Sequence, residues 1–182
     1  MEDCTEADVA RLLKIVPEFR KQQALRYSHL FGQWTTLKTW ELLMELVPGP
    51  TDSVYYGPNG KPYLTDGPFF SISHCKTAVA VAVDSEHEIG IDIESIRHAD
   101  EALIRHTMNE EEQTLIHNAQ EPDRMFTHLW TQKEAVLKAR GTGLIDELPL
   151  VLSSLSNKEK EQLQTRVFQN YIFSGFVCKP CF

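Results

Sequence analysis

The hydrophobic period of this chain changes twice, and those changes limit what it can fold into. Up to residue 47 the apolar residues recur at helical spacing. Val9, Leu12, Leu13 and Val16 follow Thr5, an N-cap with Asp8 in the first turn, and Leu37, Trp40, Leu43 and Leu46 mark a second helix. Pro17 interrupts the run, and "VPGPTD" stops it. "YYGPNGKPYLTDGP" is rich in Gly and Pro and is expected to be turns and loop. The period then falls to two. "FFSISH" alternates, "TAVAVAVD" reads as a buried strand, and the polar turn "SEHE" leads into "IGIDIE", its expected antiparallel partner. After "SIRHAD" helical spacing returns. Asn109 caps one helix with Glu112 three residues later, and another runs from about Arg124 to Arg140, ending at "GTGL". A polar helix around residues 156–164 and the strands "TRVFQN" and "YIFSGFVCKP" close the chain. The elements thus run helices, strands, helices and strands again. Their order suggests two similarly built halves joined near residues 95–100.

Bulk properties narrow the function. A net charge of -8 over 182 residues argues against a nucleic-acid binder, which needs a basic face to displace phosphate counterions. Any anionic ligand must be held by a few local Lys, Arg or backbone N–H groups. No apolar run approaches the ~20 residues that span a bilayer, so no membrane role is expected. The start, "MEDCTEADVARLLKIV", lacks the basic-then-apolar order of a signal peptide. Cys178 and Cys181 form a lone CxxC without a second ligand pair, so reduced thiols are favoured over zinc. These readings point to a cytoplasmic protein.

Two segments carry candidate chemistry. In "IGIDIE" a strand places Ile89, Ile91 and Ile93 on one face and Asp92 and Glu94 on the other, with Gly90 leaving room beside the carboxylates. That face is either solvated or built around a hard cation, for which oxygen ligands favour Mg²⁺ or Mn²⁺. In "WTQKEAVLKARGTGL" the residues Phe126, Trp130, Lys133 and Leu137 share one helical stripe. Lys133 therefore either snorkels to solvent or finds a carboxylate or loop carbonyls beneath the helix. Glu134 and Lys138 lie one turn apart on the flank, the favourable order for an exposed ion pair. His74 and Cys75 adjoin each other, but no third group orients them as a nucleophile pair.

Together these residues resemble a family. "IGIDIE" followed by "WTQKEAVLKARGTGL" is similar to the paired signature of the 4′-phosphopantetheinyl transferases, G-[IV]-D-x-E and then W-x-x-K-E-A-x-x-K. Asp92 and Glu134 stand 42 residues apart, which suits that family. Upstream, "GKPYLTDGPFFSISHC" resembles its G-K-P loop and S-x-S-H segment. The resemblance runs from about Gly60 to Leu144 and is fainter in the first 55 residues and the tail.

The resemblance implies the larger, surfactin-synthetase-activating subtype. Its fold is two pseudo-symmetric α+β halves in one chain, here residues 1–97 and 98–182, acting as a monomer. The implied reaction moves phosphopantetheine from coenzyme A to a serine of an apo acyl or peptidyl carrier protein, releasing 3′,5′-ADP. By the same resemblance Asp92, Glu94 and Glu134 are the carboxylates for Mg²⁺ or Mn²⁺, and Glu134 takes the serine proton, directly or through a water. Lys138 contacts a phosphate, and Lys133 is anchored under the helix. Ser73 and His74 touch the 3′-phosphoadenosine, and Lys61 reaches the 3′-phosphate. The family's early basic residues correspond to Arg20, Lys21 or Arg26, with Thr35 or Thr36 nearby. Two other readings share parts of this pattern. A Mg²⁺-dependent nucleotide pyrophosphate hydrolase would use an activated water, and a non-catalytic binding module would leave the carboxylates solvated. The carrier's pathway (fatty-acid, polyketide or peptide synthesis) is not legible.

Overall fold

In the computed structural model, which describes residues 4–178, the N-terminal segment forms three helices where two were expected. Thr5 caps α1 (Glu6–Leu12): its hydroxyl accepts the Asp8 amide, and the Asp8 carboxylate accepts the Thr5 N–H in return. Pro17 opens a helix as well as breaking one, because its missing N–H costs nothing at a helix start. It precedes α2 (Glu18–Ala24), and α3 (Leu30–Leu46) follows. Val9, Leu12, Ala24, Leu37, Trp40 and Leu43 form one core with Phe70.

The Gly/Pro-rich segment is not all loop. Its ends pair as a small hairpin, β1 (Val54–Tyr56) with β2 (Pro62–Leu64), in which the opposed Tyr55 and Tyr63 rings stack at 5.2 Å. An aromatic cross-strand pair outweighs local loop composition here. The alternating segment gives β3 (Phe69–His74) and β4 (Val79–Asp84), paired antiparallel from Phe69↔Asp84 to His74↔Val79.

The next strand, β5 (Glu88–Ser95), corrects the expected pairing. It does not pair with β4. Its backbone partner is β7 (Tyr171–Cys178), from Glu88↔Cys178 to Ser95↔Tyr171, and β7 also pairs β6 (Leu163–Val167) on its other side. The second edge of β5 faces β3, where side chains take over from the ladder. The Ser71 and Ser73 hydroxyls accept the Ile91 and Ile93 N–H groups at 3.0 and 3.2 Å. Alternation specifies a strand's faces but not its partner, which is why the sequence misled here.

Between β5 and β6 lie α4 (Glu101–Thr107), which the sequence reading did not anticipate, α5 (Glu110–Asn118), α6 (Pro122–Arg140) and α7 (Asn157–Gln162). Asn109 and Glu112 form the expected capping box, and α6 ends in a left-handed Gly141 at φ 64°. This helix packs across β5 and β7. Gly90 does not leave room beside the carboxylates, because α6 fills that room. A Cβ there would meet Ala135 O at 2.0 Å and Ala139 N at 2.2 Å. Only glycine allows strand and helix backbones to approach so closely.

The architecture is α+β: α3 packs on the β3–β4 hairpin, and α6 packs across β5 and β7 of the three-stranded sheet. The strand β5, early in sequence, is paired into the second sheet. Among the described residues no helix is long and apolar enough to cross a membrane. Cys178 is a free thiol, while Cys181 lies outside the described residues.

Candidate active site

The close contact at Gly90 fixes two sets of side chains against each other. Glu88, Gly90, Asp92 and Glu94 share the face of β5 that looks onto α6, and Glu134 and Lys138 sit one turn apart on that helix. All but Glu88 and Gly90 border a single cavity of about 680 Å³. Ser73 and His74 reach it from the end of β3, Arg20 and Gln23 from α2, and Thr36 and Thr39 from α3.

Asp92 is at the centre, with 4% exposure. Its Oδ1 accepts Lys138 Nζ at 2.6 Å and the Ser73 hydroxyl at 2.9 Å. Its Oδ2 is buried without a hydrogen-bond partner, a costly arrangement for a carboxylate oxygen. Lys138 therefore pairs with Asp92, and it also donates to Ser73 at 3.2 Å. Glu94 and Glu134 both have carboxyls raised above the ordinary range. Burial is the main cause for each and the Asp92 charge adds to it, while Lys138 pulls both the other way. Three acidic groups around one orphaned oxygen are an environment in which a hard cation is welcome. The donor set thus fits a divalent metal, although among the described residues no three His, Cys, Asp or Glu side chains are arranged as a ready-made metal cage.

The same cavity is lined by a half-buried cation, Arg20. Arg20 donates to Thr36 O at 2.8 Å, to Gln23 Oε1 at 2.8 Å and to Thr39 Oγ1 at 3.0 Å, and its guanidinium lies 5.0 Å from the Trp40 ring. Every one of these acceptors is neutral. Burial pushes the Arg20 guanidinium down to about 10, so it stays charged at neutral pH. A cation held this way by neutral groups is built to receive an anion. His74, at the exposed end of β3, has its imidazole held below the ordinary histidine range. The surrounding protein contributes most, and the Lys138 and Arg20 cations add to it.

The sequence-derived candidates divide cleanly. Arg20, Ser73, His74, Asp92, Glu94, Glu134 and Lys138 come together on one cavity. Lys61 does not join them. Its ammonium contacts Glu88, Ala139 O and Ile89 O, and it borders an adjoining cavity of about 320 Å³. Among the early basic residues, Lys21 pairs with Glu18 instead, while Arg26 reaches the cavity. Thr36 lines the cavity, whereas Thr35 bonds back to its own helix. Gln23, Arg97 and Trp130 line it as well and were not assigned from sequence. Gln23 one turn after Arg20 was the available signal for the first.

Lys133 neither snorkels nor enters the cavity. With no exposure, its ammonium reaches Glu112 Oε2 at 2.8 Å, Leu148 O at 2.8 Å and Pro149 O at 3.4 Å. It ties the underside of α6 to α5 and to the loop beyond.

A carboxylate cluster and a desolvated arginine thus line one cavity. Comparison with known proteins makes this specific. The sequence model of the 4′-phosphopantetheinyl transferase superfamily matches residues 88–178, half of the 182-residue chain. The protein belongs to that superfamily. It is similar to the 4′-phosphopantetheinyl transferase gsp of Aneurinibacillus migulanus, with 26% identity over 85% of this chain and 68% of that one. It is also similar to a putative 4′-phosphopantetheinyl transferase of Haemophilus influenzae, with 31% identity over 86% of this chain and 64% of that one. The transferase HetI of Nostoc is 34% identical over 60% of this chain and 50% of its own. The chain thus spans between half and about two thirds of these relatives.

Proposed function

We propose that the protein transfers the 4′-phosphopantetheine group of coenzyme A to a serine of an apo acyl or peptidyl carrier protein, with Mg²⁺ in the site, releasing 3′,5′-ADP. The observation that carries this reading is the single cavity joining Asp92, Glu94, Glu134 and Lys138 to Arg20 and His74 in a chain of this superfamily. Asp92, Glu94 and Glu134 would hold the metal, which supplies charge neutralisation at the pyrophosphate. The unpartnered Asp92 Oδ2 supports this assignment.

The protein's own groups do the rest. Arg20 and His74, which line the same cavity, would hold the 3′-phosphate. Lys138, on its flexible stem, exchanges its Asp92 contact for a phosphate oxygen and acts there as a point charge. Glu134 has a carboxyl already raised toward neutrality, which suits a base that accepts the serine proton. The enzyme is read as a cytoplasmic monomer, since both halves lie in one chain.

The test is intact mass of apo acyl and peptidyl carrier proteins incubated with the protein, coenzyme A and Mg²⁺. One added phosphopantetheine, lost with EDTA or with Glu134→Gln, is expected. Coenzyme A cleavage without any carrier would replace the transferase by a hydrolase, and no reaction with several carriers of both kinds would sink the proposal.

A further inference from the structure

We propose that Lys61 and Glu88 are positioning residues that hold the end of α6, with Lys138, in place against β5, with Asp92; this rests on the transferase reading above. The Lys61 side chain is 10% exposed, and its ammonium meets acceptors on two elements. On β5 it contacts the Glu88 carboxylate and Ile89 O, the latter at 3.3 Å; on α6 it donates to Ala139 O at 3.0 Å. Ala139 is in the last turn of α6, where carbonyls lack helical partners and the helix dipole presents its negative end. A lysine there satisfies the carbonyl and the dipole together.

The same loop makes a second attachment. Asn59 Nδ2 donates to Gly141 O at 3.0 Å, and the Tyr63 hydroxyl lies against Gly141. The loop between β1 and β2 therefore clasps the end of α6. What it fixes follows from sequence spacing. Glu88 precedes Asp92 by four residues on one face of β5, and Ala139 directly follows Lys138. One ammonium thus ties the strand that carries Asp92 to the helical turn that carries Lys138, and these two side chains meet at 2.6 Å in the cavity's lining. A phosphate contact would need an ammonium open to the main cavity. Lys61 already has three protein acceptors and opens instead on the adjoining one.

The two roles differ in kinetics. The assay compares coenzyme A with 3′-dephospho-coenzyme A as donors for wild type, Lys61→Met, Lys61→Arg, Glu88→Gln and Arg20→Met. Misplacing one side of a site costs kcat, so Lys61→Met is expected to lower kcat about tenfold to about a hundredfold while KM for coenzyme A stays within about twofold. The preference for coenzyme A over its dephospho form stays at the wild-type ratio, Glu88→Gln falls in the same direction, and Lys61→Arg restores most of kcat. Arg20→Met is the variant that erases the preference. A Lys61→Met enzyme with intact kcat, raised KM and no donor preference would make Lys61 a phosphate ligand and overturn the proposal. If wild type transfers nothing, the transferase reading fails on its own, and the clasp is judged by amide hydrogen exchange. Faster exchange at residues 138–142 in Lys61→Met than in the rest of α6 supports it, and unchanged exchange there refutes it.

Discussion

Replacing Lys133 with methionine strips a charge from the interior and strands its partner. Three donors of the ammonium face three acceptors, the Glu112 carboxylate and the carbonyls of Leu148 and Pro149. At 2.8 Å the attraction to Glu112 is about 6 kcal/mol for an effective dielectric of about 20. Desolvation opposes it. The Lys133 ammonium is held below the ordinary lysine range, with burial outweighing the opposing pull of Glu112. The folded state therefore binds this proton less readily than the unfolded one, and the resulting penalty is present at neutral pH and relieved as pH rises toward 10.5. The pair is thus no net source of stability, yet halving it is severe, because it leaves the Glu112 carboxylate at 7% side-chain exposure without its ammonium partner. Breaking one side of such a pair costs about 3–5 kcal/mol, which in a domain of this size lowers Tm by roughly 6–20 °C. Thermal and urea unfolding of Lys133→Met measure this directly. Adding Glu112→Gln removes the stranded charge and keeps an acceptor for the Asn109 N–H that caps α5, so the double variant should recover about 1–3 kcal/mol relative to the summed single losses. A single-variant loss under about 1 kcal/mol, or simple additivity, would refute the reasoning.

Two further outcomes follow from the site's construction. Gly90→Ala drives a methyl into the α6 backbone and should cost more than about 4 kcal/mol, seen as loss of soluble, cooperatively folding protein; a variant of near-native Tm would mean that strand and helix can part without cost. Glu94 and Glu134 have raised carboxyls, so their contribution to stability is present below their ordinary value of 4.5 and is lost as pH rises through the raised value. Glu134→Gln should accordingly equal or exceed wild type in Tm at pH 7 without metal, while abolishing transfer, and its advantage should vanish near pH 4; a Tm deficit that is the same at both pH values would show that the carboxylate is not strained.

The site was legible where one element carries two functional groups. Asp92 and Glu94 follow from a strand's period of two, and Glu134 and Lys138 from one turn of helix, so their shared faces could be read directly. Long-range pairing was not legible. Nothing in "IGIDIE" says that its partner is "YIFSGFVC", nearly eighty residues on, rather than the adjacent strand. Residues with double duty were read for only one duty. Glu112 looked like half of a capping box, which it is, and nothing local shows that the same oxygen, Oε2, also serves Lys133. Gly90 looked like empty space beside a carboxylate because a missing side chain does not reveal what fills its place. Lys61 shows the limit of motif transfer: the loop is where the motif puts it, but its ammonium is taken up by Glu88, which no motif contains.

The junction of β3 with β5 has a mechanical meaning. Along most of the second sheet, parting two strands would break a backbone ladder, whereas β3 and β5 are joined through serine side chains, by two bonds to amides at about 1 kcal/mol each and by the Ser73 bond to Asp92. The seam passes through Asp92, because Ser73 holds both the Ile93 amide and that carboxylate. The β3–β4 hairpin and the second sheet therefore meet along a line held by side chains in place of a ladder, and Asp92 lies on that line. A molecule bound in the cavity, which Arg20 and His74 line together with residues of β5 and α6, would brace that line.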